Sequence, residues 1–403
     1  MKKLLALMLC VLMTISLTAC TKEQKGTNSD TASTTSKNQT QTKPKPKKEY
    51  PYEAEYTEMG IPLAEYYTEG GVERCVWDIE YFDGGIYVGS GDYDKNKGPV
   101  YMTHYSFEKG KWRFDTGLPD EQIERFFIFD NKFYAAGCDP QTSWSYGNLY
   151  YMENGRWQVN NTIPGGVHNF DAIKFEGKLY VGLGVVEGNA PVQVTEDEKN
   201  WTSVYFYKDG NLIDSAVSGL TRVYDFFALD GELYAFLYTE FDSKSYYEIY
   251  RLDGDKFVYH SEMPKNIMYS KSMYSFFNQK VEFKGAQYFT TAYFYKSRDM
   301  KTAEQINLGD TTGVIDLRVM DDTLYVLCNE KIINEDQTEE FRVSVKMSKD
   351  GTEFTEMFHF NYPVRALCFT YANDSFYFGM GYGTKAKKLY EENGMVLSVE
   401  NPL

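Results

Sequence analysis

Apolar and polar residues alternate in short runs along most of this chain, and small polar turns separate the runs. A period of two residues marks strands, whose successive side chains point to opposite faces. No long stretch sustains the spacing of an amphipathic helix. One pattern returns seven times: a small turn, one spacer, an apolar residue, then a tyrosine. The first copy reads Phe82-Asp83-Gly84-Gly85-Ile86-Tyr87, and the others lie at 129–134, 175–180, 229–234, 283–288, 320–325 and 372–377. Gln287 is the one polar residue at the apolar position.

The seven tyrosines are 47, 46, 54, 54, 37 and 52 residues apart. A period of that size, with hairpin chemistry in each unit, predicts a propeller rather than a helical array. A second seven-residue frame follows each tyrosine, with an acid at its third position. The frames are 106–112, 151–157, 195–201, 251–257, 297–303, 348–354 and 390–396. Six of them end in Trp, Phe or Val, and Ala303 is the exception. An acid at the head of a tight turn accepts backbone N–H groups, and Gly at the tip tolerates positive φ. Two hairpins per unit make a four-stranded antiparallel blade. The expected fold is therefore all-β: a seven-bladed β-propeller over 73–403, its last blade complete at Val399. Residues 51–72 are expected to add an outer strand or a cap. Aromatic residues at 17%, with 35 Tyr and 27 Phe, suit such half-buried pleated surfaces.

Ser348-Lys349-Asp350-Gly351-Thr352-Glu353-Phe354 resembles the Asp-box hairpin of sialidases and related propellers. In those families the box is structural. The overall pattern is similar to the kelch or Asp-box propeller group, although the Gly84-Gly85 doublet is missing from the other first turns.

Residues 1–20 have the order of a secretory leader: Lys2 and Lys3, an apolar run from Leu4 to Leu17, then Leu17-Thr18-Ala19-Cys20. The run is short for a stable membrane span. These features resemble the bacterial lipoprotein signal. The resemblance implies that Cys20 carries a thioether-linked diacylglycerol and begins the mature chain, anchored by membrane lipid at the extracytoplasmic face of the cell membrane. Residues 21–50 are rich in Thr, Ser, Asn, Gln and Lys and too polar to form a core. They read as a flexible tether. The formal charge of the whole chain is −16, although its first 50 residues carry nine Lys against three acids. So acidic a body repels polyanions, which argues against nucleic acid as a partner. Cys75, Cys138, Cys328 and Cys368 fall in the first, second, sixth and seventh repeats and match no metal-ligand spacing. A disulfide between neighbouring repeats and buried separate thiols both fit them.

Candidate chemistry gathers on the predicted inner strands. Asp78, Asp171, Asp225 and Asp316 each stand four residues before the residue that opens the first turn, and Arg74, Arg125, Arg222, Arg318 and Arg365 lie nearby. One account is a charged axial funnel whose arginines hold carboxylate or sulfate groups. The other, weighted more heavily, is ion pairing between adjacent blades. The loop from Cys138 offers Trp144 and Tyr146 for stacking on sugar or peptide, or for packing on the next blade. Asp92, Asp94 and Asn96 alternate as in a calcium loop, but Gly98 comes one place late and Thr103 stands where Glu is required. A solvated loop is favoured there, so no metal or cofactor is expected. The four histidines share no ligand spacing, and phosphate loops, nucleophile elbows and dinucleotide fingerprints are missing. The expected task is binding of a glycan, peptide or partner protein; the rival is a carbohydrate-active enzyme at the axial face.

Overall fold

The computed structural model describes residues 51–92, 95, 98–143, 145–185, 190–213, 220–241, 244–267, 279–309, 312–382 and 390–401. Among them the regular structure is strand, apart from one three-residue 3-10 turn at Val72–Arg74. The strands pair antiparallel in fours. The first group is Asp78–Phe82, Gly85–Gly89, Val100–Ser106 and Lys111–Leu118. The second is Asp120–Phe129, Lys132–Pro140, Tyr146–Glu153 and Arg156–Pro164. The third is Gly166–Phe175, Lys178–Val185, Val192–Thr195 and Thr202–Val204. The fourth is Leu220–Leu229, Glu232–Phe241, Lys244–Asp253 and Lys256–Glu262. The fifth is Lys280–Phe283, Ala286–Thr290, Phe294–Ser297 and Glu304–Ile306. The sixth is Thr312–Met320, Thr323–Ile333, Glu339–Ser348 and Thr355–Tyr362. The last takes Arg365–Ala372, Ser375–Gly381 and Val396–Glu400 from the C-terminal end, and Thr57–Gly60 from the N-terminal end.

The last group corrects one expectation. The frame 390–396 does not separate a third strand from a fourth; it precedes the third, and the outer strand comes from residues 57–60. Tyr52–Glu53 pairs in parallel with the outer strand of the sixth group. The other six acidic frames do span hairpins between third and fourth strands. The sheets are also less separate than expected. Single bridges, His168 with Cys138 and Gly184 with Arg222, join the second, third and fourth groups into one fourteen-stranded sheet. A small inserted hairpin, Phe206–Lys208 with Asn211–Leu212, extends the fourth group's outer edge. That insertion accounts for part of the long Tyr180 to Tyr234 spacing.

The repeated turn has a clear backbone cause. Both central residues of each first hairpin have positive φ, from Asp83 and Gly84 to Asn373 and Asp374. Two-residue hairpins of this hand match the right-handed strand twist and favour Asn, Asp and Gly. Glu176 and Lys284 adopt the same conformation at φ 48° and 52°, so the strand pairing overrides local preference there.

The apolar–tyrosine pair also has a cause. Second strands are buried on both faces, so the two residues enter different cores. Phe133 packs in the core between the first and second groups, and Tyr134 in the core between the second and third. Leu233 and Tyr234 divide likewise between the cores on either side of the fourth group. Ile86 and Tyr377 meet in the core where the last group faces the first. All seven repeat tyrosines are buried. First strands neighbour first strands from group to group, and Arg365–Ala372 lies beside Asp78–Phe82.

Three acidic frames share one hydrogen-bond scheme. Asp197, Asp299 and Asp350 each accept the N–H groups two and three residues ahead, at 2.8–3.0 Å. The Thr195, Ser297 and Ser348 hydroxyls accept the N–H three residues ahead, at 2.8–2.9 Å. In the frame at 106–112 the acid is Glu108, one methylene longer, and it pairs with Lys109 instead.

Backbone donors hold the Asp197 and Asp350 carboxyls well below the usual range. A carboxyl with a folded pKa below its unfolded value near 3.9 stabilises above that value, and the contribution is lost as pH falls through the folded pKa. The melting temperature is therefore expected to drop between about pH 4 and about pH 2. The double change Asp197→Asn, Asp350→Asn should flatten that drop in calorimetry; an unchanged slope would contradict the turn assignment.

Candidate functional site

The position four residues before each first turn holds Asp78, Arg125, Asp171, Asp225, Gln279, Asp316 and Cys368, group by group. A β-bulge precedes Asp171, Asp225, Asp316 and Cys368 and also interrupts 123–126. Bulges re-aim side chains out of the regular alternation. Here they accompany side chains directed at the neighbouring first strand. Asp78 Oδ2 accepts the N–H of Phe126 at 2.7 Å, Asp171 Oδ2 that of Phe226 at 2.6 Å, and Asp316 Oδ2 that of Phe369 at 2.9 Å. Each bond joins one group to the next.

Cations complete two clusters. Arg125 Nη1 lies 2.9 Å from Asp225 Oδ1 and 3.5 Å from Asp171 Oδ1. Lys280 Nζ reaches Asp171 at 2.7 Å and Asp225 at 3.0 Å. In the second cluster Arg318 meets Glu80 at 2.5 Å, Asp78 at 3.0 Å and Asp316 at 3.7 Å. Burial would lower both guanidinium pKa values, but the carboxylates outweigh it and hold them above the ordinary value. Three carboxylates share Arg318, and burial pushes Asp78 up to about 7 although Arg318 opposes the shift. A cavity of about 190 Å³ lies between the clusters, lined by Asp78, Arg125, Asp171, Lys280 and Arg318 with Phe127 and Phe129. Its lining reaches Phe129, so it extends toward the first-hairpin turns. A larger cleft of about 400 Å³ lies beside the acidic frames of the third and fourth groups. Its Asp197 carboxylate already caps a turn.

The remaining sequence candidates scatter. Arg74 is buried and donates to the Ala64 and Tyr67 carbonyls at 2.7 and 2.8 Å. It secures the N-terminal segment away from the two clusters. Arg365 lies over the Phe341 and Tyr382 rings, 5.3 Å from each centroid. Arg222 lies 5.7 Å from the Phe170 centroid and donates to the Tyr224 hydroxyl at 3.2 Å. Tyr146 is half exposed at the start of its strand. Asp92 is buried, with Lys95 at 3.5 Å; Asp94, Asn96, Trp144 and Cys20 lie outside the described residues. Cys138, Cys328 and Cys368 are buried free thiols, and Cys75 is buried too.

One constellation is not evident in the sequence. Cys138 and His168 face each other across a bridge between the second and third groups. Cys138 Sγ lies 3.2 Å from His168 Nδ1, and Asp139 Oδ1 lies 2.9 Å from the same nitrogen. Asp120 and Glu121 stand near them on the first strand of the second group. Burial pushes both carboxyls up to about 7, helped by the charge of Asp139. Glu121 Oε2 is buried and has no hydrogen-bond partner among the described residues.

No protein-family model matches the sequence, and no curated protein matches it. Among solved structures, the chain is similar to virginiamycin B lyase from Staphylococcus aureus, with a TM-score of 0.51 at 9% identity over 86% of this chain and 99% of that one. The polysaccharide lyase Uly1 aligns at TM-score 0.42 and 10% identity, over 87% and 98% of the two chains. The first likeness carries the architecture alone: a propeller-like all-β fold.

The clusters set a stability expectation. Arg125→Met leaves two buried aspartates to Lys280, and removing one partner of a buried ion pair costs about 3–5 kcal/mol. Urea unfolding should register a loss of that order. A loss below about 1 kcal/mol, the range of an exposed pair, would show that Arg125 is not architectural.

Proposed function

We propose that this chain is a lipid-anchored, extracytoplasmic binding module. Its body is a seven-bladed propeller of four-stranded blades, held by Cys20 and the tether at 21–50, and its axial face engages a glycan, peptide or partner protein. The antiparallel groups of four, the cores shared between successive groups and the return of the last group to the first support the ring. The Leu17-Thr18-Ala19-Cys20 sequence supports the anchor.

The observation that carries the binding role is the state of the axial carboxylates. Asp78 and Asp171 are committed to backbone N–H groups and to cations. A general acid or base needs a carboxyl within hydrogen-bond reach of substrate, and these are occupied in holding strands. The cavity between them nonetheless joins fixed charges to aromatic and aliphatic side chains, the usual makeup of a recognition pocket. At about 190 Å³ it suits one terminal group of a larger ligand rather than the whole. The guanidinium groups are paired with carboxylates, so an acidic ligand would have to displace them. A neutral or cationic group fits the cavity better.

A carbohydrate-active enzyme is the second reading, and Glu121 is what favours it. A buried carboxyl pushed up to about 7, chiefly by burial and then by the charge of Asp139, is a common feature of catalytic sites.

Two measurements test the proposal. Metabolic fatty-acid labelling should tag the wild-type protein, and Cys20→Ala should abolish the tag and release the protein from membranes. An equally strong tag on the variant would exclude Cys20 as the anchor. A glycan and peptide array should return a hit that Gln279→Trp, a larger side chain at another residue lining the cavity, removes without lowering the melting temperature. Retained binding in that variant would move the site elsewhere, and time-dependent conversion of the ligand would favour the enzyme.

A further inference from the structure

We infer that Cys138, Asp139 and His168 form a zinc site at the end of the second and third groups opposite their first turns. The three donor atoms lie within 4.8 Å of one another. Tetrahedral Zn²⁺ with Zn–S about 2.3 Å and Zn–N and Zn–O about 2.0–2.1 Å places its donors roughly 3.3–3.6 Å apart. The observed 3.2 Å and 2.9 Å separations need only a few tenths of an ångström of opening. The donor set decides the ion: thiolate and imidazole with one carboxylate select zinc over calcium or magnesium, which take oxygen ligands.

A thiol–imidazole–carboxylate relay would use the same residue types, but its geometry differs. There the carboxylate orients the ring through the nitrogen that the nucleophile does not use. Here sulfur and oxygen both approach Nδ1, and all three donor atoms lie within 4.8 Å of one another, close enough for one ion to meet all three. The surroundings are built for that convergence. His168 stacks on Phe170 with centroids 5.2 Å apart. A Cβ on Gly184 would come within 2.7 Å of His168 Cδ2 and 2.8 Å of Phe170 Cε2, so only glycine leaves room for both rings. Asp139 takes φ 54°, a left-handed conformation that a non-glycine residue holds where the structure aims it.

A dication bound there would deprotonate the thiol and release the proton to solvent. Glu121 Oε2, on the first strand of the second group, is buried without a hydrogen-bond partner among the described residues. The fourth position is left for solvent.

The test uses the full-length protein in detergent, reduced and stripped with chelator. Zn²⁺ titration against a chromophoric chelator should give one ion per chain, with proton release and a raised melting temperature. Co²⁺ in its place should show a thiolate-to-cobalt charge-transfer band. Cys138→Ser should remove the band. His168→Ala should weaken binding at least about tenfold, since even residues that only support ligands cost 10–100-fold. His104→Ala should leave binding unchanged. A Co²⁺ spectrum of the wild-type protein without the thiolate band would overturn the assignment, as would no retained Zn²⁺ or binding untouched by both ligand variants. The wild-type spectrum decides the matter if a variant fails to fold.

Discussion

The fold depends on a bond between a carboxylate and the backbone of the next group. A first strand pairs along its length with its hairpin partner on one side, and across its other edge the third and fourth groups add only single bridges, His168 with Cys138 and Arg222 with Gly184. Its other edge carries N–H groups turned toward neighbouring first strands, and buried donors without acceptors are costly. Asp78, Asp171 and Asp316 supply acceptors to Phe126, Phe226 and Phe369. At the same level the Cys368 thiol donates to the Val76 carbonyl at 3.3 Å, linking the last group to the first. The charges that accompany these bonds are therefore a consequence of architecture. Arg125, Lys280 and Arg318 balance the aspartates that the strand edges require.

The hydrophobic pattern complements this bonding between first strands. Each apolar–tyrosine pair places one side chain in the core behind its group and the next in the core ahead. Adjacent groups are thus tied by packing at the second strand and by hydrogen bonding at the first. The N-terminal strand Thr57–Gly60 completes the last group by pairing with Val396–Glu400, so the two ends of the described body meet in one sheet.

The parts legible in the sequence are those set by local chemistry. The first turns were readable because Asp83-Gly84 and its counterparts encode positive φ within two residues. The aspartates were readable as a recurring position, but their partners were not, because a backbone N–H has no letter in the sequence. Arg74 and Arg365 looked alike beside Arg125, yet one caps a turn and the other lies over two aromatic rings. The frame at Glu392 misled because its expected fourth strand is supplied by residues more than 300 positions away. Cys138 and His168 share no spacing rule, and only the bridge between two groups brings them together. The conjunction of Cys138-Asp139 at a strand end with His168 near the next strand's start was the available signal.

The Cys138–His168 constellation and the cavity between the ion-pair clusters lie toward opposite ends of the second and third groups. The cavity is lined by two of the aspartates that make the bonds between groups, Asp78 and Asp171. Hydrogen–deuterium exchange of peptides containing Phe126, Phe226 and Phe369 tests those bonds most directly. The account predicts that these amides exchange only through global unfolding, with the same denaturant dependence as the whole body. Exchange as fast as at the exposed turns around Gly84 would contradict it.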